Sequence, residues 1–367
     1  MICSAETKEV NQISTTNILP QTSFWARVKD KQGFIPTGFQ LTVSRDILRE
    51  VSQVDQNGQE DLLILIKYLS ADRCFAYVPY GPKLEPKFEN QGIFLESLSE
   101  ILKPHLPSNC VFIRYDLAWE NQWAVEDEYY DEDGHWMGPP ATQTQEFRLN
   151  FSTKNWNLKK SPNDSLPKNT FFLPLPKEEK DLLYAMRYNT RYNIRQAIKK
   201  GVEVKEYGVE MLDIWYELFS ETAARNDMSI LGKDYFRNLL THQDNEKDGV
   251  RVSLLMAEYK GEFLAAMFLI LSHKRGTYLF GASSSDKKHL RASYALQWEA
   301  LKMAKDYGCQ EYDMFGCAPN LDQSHPLHGV HLYKKGFGGQ LFHRMGCWDY
   351  PFIQEDYELY KAKEMNG

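Results

Sequence analysis

At residues 61–68 the chain reads Asp61-Leu62-Leu63-Ile64-Leu65-Ile66-Lys67-Tyr68, with five consecutive aliphatic residues between two charged ones. A continuous apolar run of this length is typical of a strand that is buried on both faces. Further strands are predicted on either side of it, at Gly38–Val43 and Cys74–Val78. The elements that complete this unit are a break at Tyr80-Gly81-Pro82, an amphipathic helix over about Gly92–Lys103 and a strand at Val111–Tyr115.

The same order of elements recurs in the second half of the chain. The predicted elements there are strands at Val252–Glu258, Phe263–Leu271 and Gly276–Phe280, a break at Gly281-Ala282-Ser283, a helix over about Leu290–Tyr307 and a strand at Tyr312–Phe315. The chain thus contains the same series twice, namely three strands, a break, a helix and a further strand. This repeat predicts two units of mixed α+β type. Two such units side by side leave a cleft between them, and clefts are common ligand positions.

Length and composition agree with a globular protein of two domains. The chain has 367 residues, 43% hydrophobic and 13% aromatic. We predict a first domain at 1–172 and a second at 173–345, with the segment from about 346 to 367 packing back onto the first. The formal net charge of −7 disfavours a general nucleic-acid coat, so any contact with a polyanion must be local.

No targeting segment, disulfide framework or metal site is predicted. Met1–Gln12 has no apolar stretch of the kind found in signal peptides, and no window reaches eighteen apolar residues, so a cytoplasmic protein is expected. The six cysteines are scattered without a CxxC pair, which predicts free thiols. His325, His328 and His331 recur every third residue, but no carboxylate pattern lies beside them.

One long helix is predicted from Lys177 to about Lys200, and two more at about Val209–Arg225 and Lys233–His242. The long helix carries basic residues at four-residue intervals, namely Arg187, Arg191, Arg195 and Lys199. Like charges at this spacing repel each other weakly, and guanidinium groups favour phosphates. The pattern therefore indicates either a solvated basic face or an anion-binding face.

Other stretches leave similar alternatives. Residues 1–20 are predicted as an irregular lead-in, and the acidic run Glu126–Gly134 as a solvated loop. Leu332-Tyr333-Lys334-Lys335-Gly336-Phe337-Gly338 taken alone indicates a solvated hairpin tip, although its lysines suit phosphates or a developing oxyanion. Glu85 is either an exposed turn residue or, if buried, a general base.

Together these stretches resemble the FemABX family of aminoacyl-tRNA-dependent peptidyltransferases. Six motifs follow in the family's order: Gln21-x3-Trp25-x3-Lys29, Tyr80-Gly81-Pro82-x2-Glu85, Pro167-x2-Thr170-Phe171-Phe172-Leu173-Pro174-Leu175, Thr190-Arg191-x2-Ile194-Arg195-x-Ala197-x3-Gly201-Val202, Tyr278-x2-Gly281-Ala282-Ser283 and Leu332-Tyr333-Lys334-Lys335-Gly336-Phe337-Gly338. The chain departs from the family where Glu85 and Pro174 replace aspartates. It also has no long heptad hairpin between residues 202 and 250, so it is similar to the shorter members.

The resemblance implies two tandem GNAT-like domains and the transfer of an amino acid from aminoacyl-tRNA, the co-substrate, with no other cofactor. The implied acceptor is the stem-peptide amine of a peptidoglycan precursor, either UDP-MurNAc-pentapeptide or lipid II. Such work implies a cytoplasmic location with contact to the inner face of the membrane. An ester is already a good acyl donor, so the enzyme mainly positions two large substrates and stabilises the tetrahedral oxyanion.

The motifs also imply roles for individual residues. The residues expected to be catalytic are Lys334, which would hold the oxyanion, Tyr333 beside it, and Glu85 in the substrate channel. The residues expected to bind substrate are Trp25, Lys29, Tyr80, Arg187, Arg191, Arg195 and Tyr278. Among them, Lys29 and Arg191 are expected at the precursor's phosphates.

Three rival interpretations stay open. An acyl-CoA-dependent N-acetyltransferase needs R/Q-x-x-G-x-G/A before the helix that follows the three strands, whereas residues 289–295 contain no glycine. A family member diverted to a polysaccharide or protein amine is a second possibility. A non-catalytic module that binds tRNA or a membrane surface is the third, and the presence of both Lys334 and Arg191 argues against it.

Overall fold

The computed structural model describes residues 2–50, 58–226, 228–241 and 249–366. The end of the third predicted helix at His242 lies outside these residues, as does the side chain of Cys3. The strands are β1 (Ile2–Lys8), β2 (Ile35–Val43), β3 (Gln59–Ser70), β4 (Arg73–Val78), β5 (Cys110–Glu120), β6 (Lys159–Lys160), β7 (Asn169–Pro174), β8 (Glu203–Tyr207), β9 (Val250–Tyr259), β10 (Glu262–Ser272), β11 (Arg275–Ser283), β12 (Glu311–Asp313) and β13 (Gln340–Pro351). The α-helices are α1 (Ser23–Asp30), α2 (Gln91–Leu102), α3 (Thr142–Asn150), α4 (Glu179–Ala185), α5 (Tyr188–Lys199), α6 (Leu212–Arg225), α7 (Lys233–Thr241), α8 (Ala292–Tyr307), α9 (His328–Lys335) and α10 (Gln354–Asn366).

The described chain divides into two compact units. The first holds Ile18–Lys168 with the residues before Thr15 and after Phe342, and the second holds Asn169–Phe342 with Thr15–Asn17. These divisions lie a few residues from the predicted ones at 172 and 345. In the first unit the strand order is β1-β2-β3-β4-β5-β13, and β6 pairs with β13. Neighbouring strands are antiparallel except β4 and β5, which are parallel and are joined through α2.

The second unit repeats this arrangement. Its strand order is β7-β12-β11-β10-β9-β8, and only β11 and β12, joined through α8, are parallel among these pairs. The series β9, β10, β11, α8, β12 therefore corresponds to β2, β3, β4, α2, β5. This confirms the predicted repeat of three strands, a helix and a strand, and it confirms the α+β class with mixed sheets.

The hydrophobic pattern places each core where the sequence indicates it. In β3, Leu62–Ile66 are all buried, as expected for a strand covered on both faces. Helix α2 buries Phe94, Leu95, Leu98 and Leu102 completely against the first sheet. Full burial of one such side chain stabilises the fold by roughly 1.5–3 kcal/mol, so these four side chains are enough to hold α2 against the first sheet. In the second unit, Met267–Leu271 of β10 are buried in the same way.

Three predictions about local structure were wrong. The lead-in contains β1, because a polar edge strand pairs with β2 through its backbone and lacks a hydrophobic pattern. Residues 126–170, whose polar stretches Glu126–Gly134 and Ser152–Asn169 predict excursions on the surface, contain α3 and β6. The lysine stretch is the last turn of α9 followed by a glycine-rich turn, not a hairpin tip. In α9 the buried His331 and Lys334 are polar, so the sequence shows no apolar stripe.

The long helix predicted over 177–200 is also wrong, because it is broken into α4 and α5. Helix α4 ends at Met186, which is extended with ψ 152°, and Arg187 caps α5 with ψ 150°. The amide of Arg187 donates to the carbonyl of Gly336 at 2.9 Å, a long-range bond that no helical pattern reveals. Arg187 therefore stands before α5, and only Arg191, Arg195 and Lys199 share its face.

The acidic stretch Glu126–Gly134 is a surface loop, and two of its carboxylates have ionic or hydrogen-bonding partners nearby. Glu126 pairs with Arg148 of α3 at 2.6 Å, and Asp131 accepts the amides of Asp133 and His135. Among the residues that the structure describes, no helix combines the length and apolar character that a bilayer span needs.

Candidate active site

Lys334 occupies a buried position at the end of α9. Its ammonium donates to the carbonyls of Phe315 and Gly316, both at 2.7 Å, and lies 5.1 Å from the centre of the Tyr278 ring. The side chain is 5% exposed. An ammonium has three N–H donors, and no third hydrogen bond or ion pair engages it within the described part of the chain. One donor is therefore left for a ligand.

Burial sets the charge behaviour of this ammonium. Desolvation lowers the pKa of Lys334 from 10.5 to about 8, against weaker opposing contributions from Cys317 and Asp313. The group is therefore mostly protonated at neutral pH but loses its proton far more readily than a solvated lysine. A charged donor in a water-poor setting is the arrangement that stabilises a developing oxyanion.

The turn that receives Lys334 is held by β7 and β12. Phe315 has a left-handed backbone with φ 56°, uncommon for a residue with a side chain. Asp313 accepts its amide at 2.8 Å, and also accepts a hydrogen bond from the Thr170 hydroxyl. These partners orient the two carbonyls that Lys334 binds. The Asp313 carboxylate is therefore occupied in orienting the turn.

Two predicted tyrosines belong to the same region, Tyr278 against the Lys334 ammonium and Tyr333 next to Lys334 in sequence. The Tyr333 hydroxyl donates to the carbonyl of Ser293 at 2.9 Å, and its ring packs edge-on against Tyr294 and Phe337. Burial raises the pKa of Tyr278 to about 12. Gly281 leaves room for the Tyr278 ring, because a Cβ there would overlap with the phenol. Lys334, Tyr333 and Tyr278 are thus brought together within the second unit.

In the first unit, Trp25 and Lys29 of α1 form one group with Gln21. The Lys29 ammonium lies 5.1 Å from the Trp25 ring and donates to Gln32 at 2.8 Å. Burial, with a further contribution from Lys67, lowers the pKa of Lys29 to about 8. The Gln21 side chain donates to the carbonyls of Pro79 and Leu63, so the motif around Trp25 meets the strand end before Tyr80.

Tyr80 and Glu85 lie on the same turn but have different partners. The Tyr80 hydroxyl donates to the carbonyl of Pro167 at 2.6 Å, and the Arg344 guanidinium covers its ring at 4.5 Å. Glu85 pairs with Arg49 at 2.8 Å, and Arg49 also pairs with Glu120. Burial raises the pKa of Glu85 overall, while Arg49 opposes the shift. A carboxylate held by arginine is a weak general base, so its catalytic role stays a prediction.

The three arginines differ in what they offer a ligand. Arg191 turns back along the helix, and its Nη1 donates to the carbonyls of Leu183, Tyr184 and Met186 at the end of α4. Arg187 and Arg195 are exposed, beside the exposed rings of Tyr188 and Tyr192. The outward guanidiniums are therefore those of Arg187 and Arg195, whereas Arg191 also fastens α4 to α5.

The structure adds residues that the motifs did not predict, namely Phe315, Ser293, Arg49 and Arg344. A backbone carbonyl as a ligand leaves no mark on residue identity, and Arg49 and Arg344 stand outside every motif. Of the histidines near α9, His331 bonds the carbonyl of Ala318 at 2.8 Å and His325 accepts the amide of Leu327. No cluster of three metal-ligating side chains occurs among the described residues.

Comparison with known proteins decides the family. The FemAB family model matches residues 5–260 and 243–364. The chain belongs to the FemAB family. Lipid II:glycine glycyltransferases of Staphylococcus haemolyticus and Staphylococcus epidermidis are 21% and 22% identical over 58% of this chain. The matched region spans 65% of the length of these FemAB-type relatives.

A solved structure supports the same assignment at the level of the fold. The crystal structure of FemX superposes with a TM-score of 0.70 over 97% of this chain and 100% of that chain, at 18% identity. A likeness at this identity concerns the architecture alone. The FemAB fold therefore holds for nearly the whole chain, including the elements that carry Lys334 and Tyr80.

Proposed function

We propose that this chain is an aminoacyltransferase that moves an amino acid from aminoacyl-tRNA to the stem-peptide amine of a peptidoglycan precursor. Family membership and the names of the staphylococcal relatives support the reaction class. The observation that carries the proposal is the buried Lys334 ammonium, held by two carbonyls with one donor left over. The acceptor is either UDP-MurNAc-pentapeptide or lipid II, and the relatives' names favour lipid II.

The chemistry needs little more than positioning and one charge. The acceptor amine attacks the ester carbonyl carbon, and the negative charge that forms on its oxygen is stabilised by Lys334. The ester C–O bond then breaks, and the tRNA hydroxyl leaves with the proton that the amine loses. No further cofactor is needed because the ester is already activated. The Tyr278 ring and the carbonyls of Phe315 and Gly316 hold Lys334 in place, while Lys29, Arg187 and Arg195 offer charge to the phosphates of the substrates.

We further propose that the chain works at the cytoplasmic face of the membrane, where a lipid-linked acceptor is reached. An aromatic patch in the first unit supports this: Phe147, Phe151 and Trp156 are 47–69% exposed, with ring centres 5.6–6.1 Å apart. Trp156 has a left-handed backbone with φ 51°, and Lys154 is exposed beside it. Exposed aromatic rings with adjacent lysines suit an anionic bilayer surface.

The reaction is tested by offering labelled aminoacyl-tRNAs singly with each acceptor and reading the product by mass. Transfer to either acceptor that is lost in Lys334→Met supports the proposal. Transfer from acyl-CoA in place of aminoacyl-tRNA contradicts it and favours an N-acetyltransferase. No transfer to either precursor also contradicts it and favours the diverted acceptor.

Membrane contact has its own test. Co-sedimentation with phosphatidylglycerol vesicles is expected to fall in Phe147→Ser/Phe151→Ser. The matched control is Leu359→Ser, a change at another exposed apolar residue. Equal vesicle binding by both variants contradicts the membrane proposal without touching the reaction.

A further inference from the structure

A cavity of about 340 Å³ lies in the first unit, and neither Trp25 nor Glu85 is among the residues that line it. Its walls come from the loop after β5, the start of α3, the segment 160–168, β13 and the end of α10. Cavities of this size accommodate small organic molecules. None of the roles assigned so far uses it.

The charges in the lining are unbalanced. Of the described residues that form it, Lys160, Lys168 and Lys361 are basic, and Asp164 is acidic. Asp164 is already shared, because it lies 3.4 Å from Lys160 and 2.9 Å from Lys168 and accepts the amide of Cys347. Although burial acts in the opposite direction, these two lysines lower the pKa of Asp164 overall. An excess of positive charge therefore remains.

Lys160 shows that this charge is built into the fold. It is 9% exposed, and its ammonium donates to the carbonyl of Cys347 at 2.7 Å. Burying a lysine ammonium to this extent lowers the stability of the folded state unless a partner compensates for its charge. The Lys361 ammonium, on α10, makes no ion pair or hydrogen bond with any residue in the described ranges, so it is available to a ligand.

Two other features of the lining define the ligand. Helix α3 begins at the cavity with Thr142, and its cap residue Ala141 has no side-chain acceptor for the first-turn amides. The Thr144 amide already donates to the carbonyl of Ala141, so it is the positive end of the helix dipole that favours an anion here. Trp136 and Met345 supply an apolar wall on the other part of the lining. The ligand should therefore combine an apolar body with negative charge.

We propose that this cavity binds a small organic dianion, carrying carboxylate or phosphate groups on an apolar body. Lys361 and Lys168 contact the charged groups, and Trp136 covers the apolar part. The site does not rest on the transfer reaction, since it belongs to the first unit, whereas Lys334 belongs to the second.

The test is calorimetric titration of the full chain with N-acetylglutamate and with phenyl phosphate, which distinguish a carboxylate from a phosphate ligand. The neutral diamide of N-acetylglutamate and inorganic phosphate serve as probes that lack the charge and the apolar body. Lys361→Met is expected to weaken binding about tenfold, the loss of one charge-assisted contact. Lys159→Met is the matched control, because Lys159 is next to Lys160 in sequence but does not line the cavity.

Saturable binding of either organic dianion, weakened in Lys361→Met and in Lys168→Met and kept in Lys159→Met, supports the site. The proposal is overturned if neither dianion binds, if binding survives in the Lys168→Met/Lys361→Met double variant, or if the neutral diamide binds as well as its parent. Thermal unfolding of each variant shows whether it is folded, and Lys361→Met is informative here because it removes no internal ion pair.

Discussion

The Lys334 ammonium lies against the Tyr278 ring, 5.1 Å from its centre, while the carbonyls of Phe315 and Gly316 accept two of its three hydrogens. An aromatic face and two carbonyls favour the charged form, whereas burial opposes it. The balance is a pKa of about 8. Lys334 is therefore a positioned cation at neutral pH, and several measurable properties depend on it.

Lys334→Met is expected to lower turnover by about 100- to 1000-fold, the usual loss when one oxyanion donor is removed. Its KM for the precursor should change little, because the phosphates are bound by other residues. Lys335→Met changes the neighbouring residue and leaves the hydrogen bonds of Lys334 to Phe315 and Gly316 intact, so it is the control and should keep near-normal turnover. Steady-state kinetics with aminoacyl-tRNA settle the matter; full activity in Lys334→Met would remove this lysine from the mechanism.

The pH dependence of turnover should show the lowered pKa of Lys334. Below a pH of about 8 the ammonium is present, and above it the proton is lost. The acceptor amine must lose a proton before it attacks, and an ordinary amine does so only near pH 10.4, so turnover should rise with pH up to about 8. Above that pH the loss of the Lys334 ammonium offsets the gain in free amine, so turnover should level off. A profile that keeps rising beyond pH 9 would be incompatible with this role.

Gly281→Ala should displace the Tyr278 ring. A Cβ at this position overlaps with the phenol, which is the movable end of the side chain, so the ring shifts and leaves Lys334 less well held. We expect turnover to fall at least about tenfold, as for a misplaced catalytic group. Gly232→Ala, where nothing lies within 4 Å of the new methyl group, is the control. Equal kinetics in the two variants would show that the Tyr278 position is irrelevant.

Arg195→Ala and Arg191→Ala should separate binding from stability. Arg195 is exposed, so its loss should raise the KM for the precursor without changing the melting temperature. Arg191 fastens α4, so its loss should also lower the free energy of unfolding by about 1–2 kcal/mol. Kinetics and thermal unfolding measure both effects. An unchanged KM in both variants would argue against a phosphate site on α5.

Asp116→Asn should change how stability depends on pH. Asp116 is buried, accepts from the Tyr77 hydroxyl and the Leu166 amide, and burial raises its pKa from 3.8 to about 6. The folded state therefore binds the extra proton between these values, and stability falls as the pH rises through them. Because the pKa rises by about two, the unfolding free energy falls by roughly 3 kcal/mol at most over this pH range.

Asparagine cannot ionise, so the difference in unfolding free energy between Asp116→Asn and the parent should move in the variant's favour from pH 4 to pH 7. Denaturant unfolding at both values measures this, and any constant effect of the substitution cancels. A difference in unfolding free energy that does not vary with pH would mean that burial does not raise the pKa of Asp116.

The sequence predicted the repeated core of the fold because hydrophobic periodicity is written into strands such as β3 and helices such as α2. It did not predict β1 or α9, whose residues are polar and whose structure depends on partners far along the chain. The break between α4 and α5 was missed for the same reason, since the bond from Arg187 to Gly336 joins residues 149 positions apart in sequence.

The motifs named Lys334, Tyr333 and Tyr278, and the structure places all three in the second unit, while their roles stay predictions. The candidate site was not predictable where the backbone forms it. Phe315 takes a left-handed conformation that its residue type disfavours, and only the surrounding bonds from Asp313 and Thr170 explain it. The roles of Glu85 and Arg191 stay predictions, because both side chains have partners that the motifs did not indicate.

The turn after α9 rests directly on the break between α4 and α5. Gly338, with φ 90°, lies so close to the Ala185 carbonyl that no side chain fits between them, and Gly336 accepts the Arg187 amide. Under the proposed function, a shift of α5 when its arginines meet a phosphate would move this turn as well. Binding of one substrate would then displace Lys334 beside the other, and the order in which the substrates arrive would leave a trace in the kinetics.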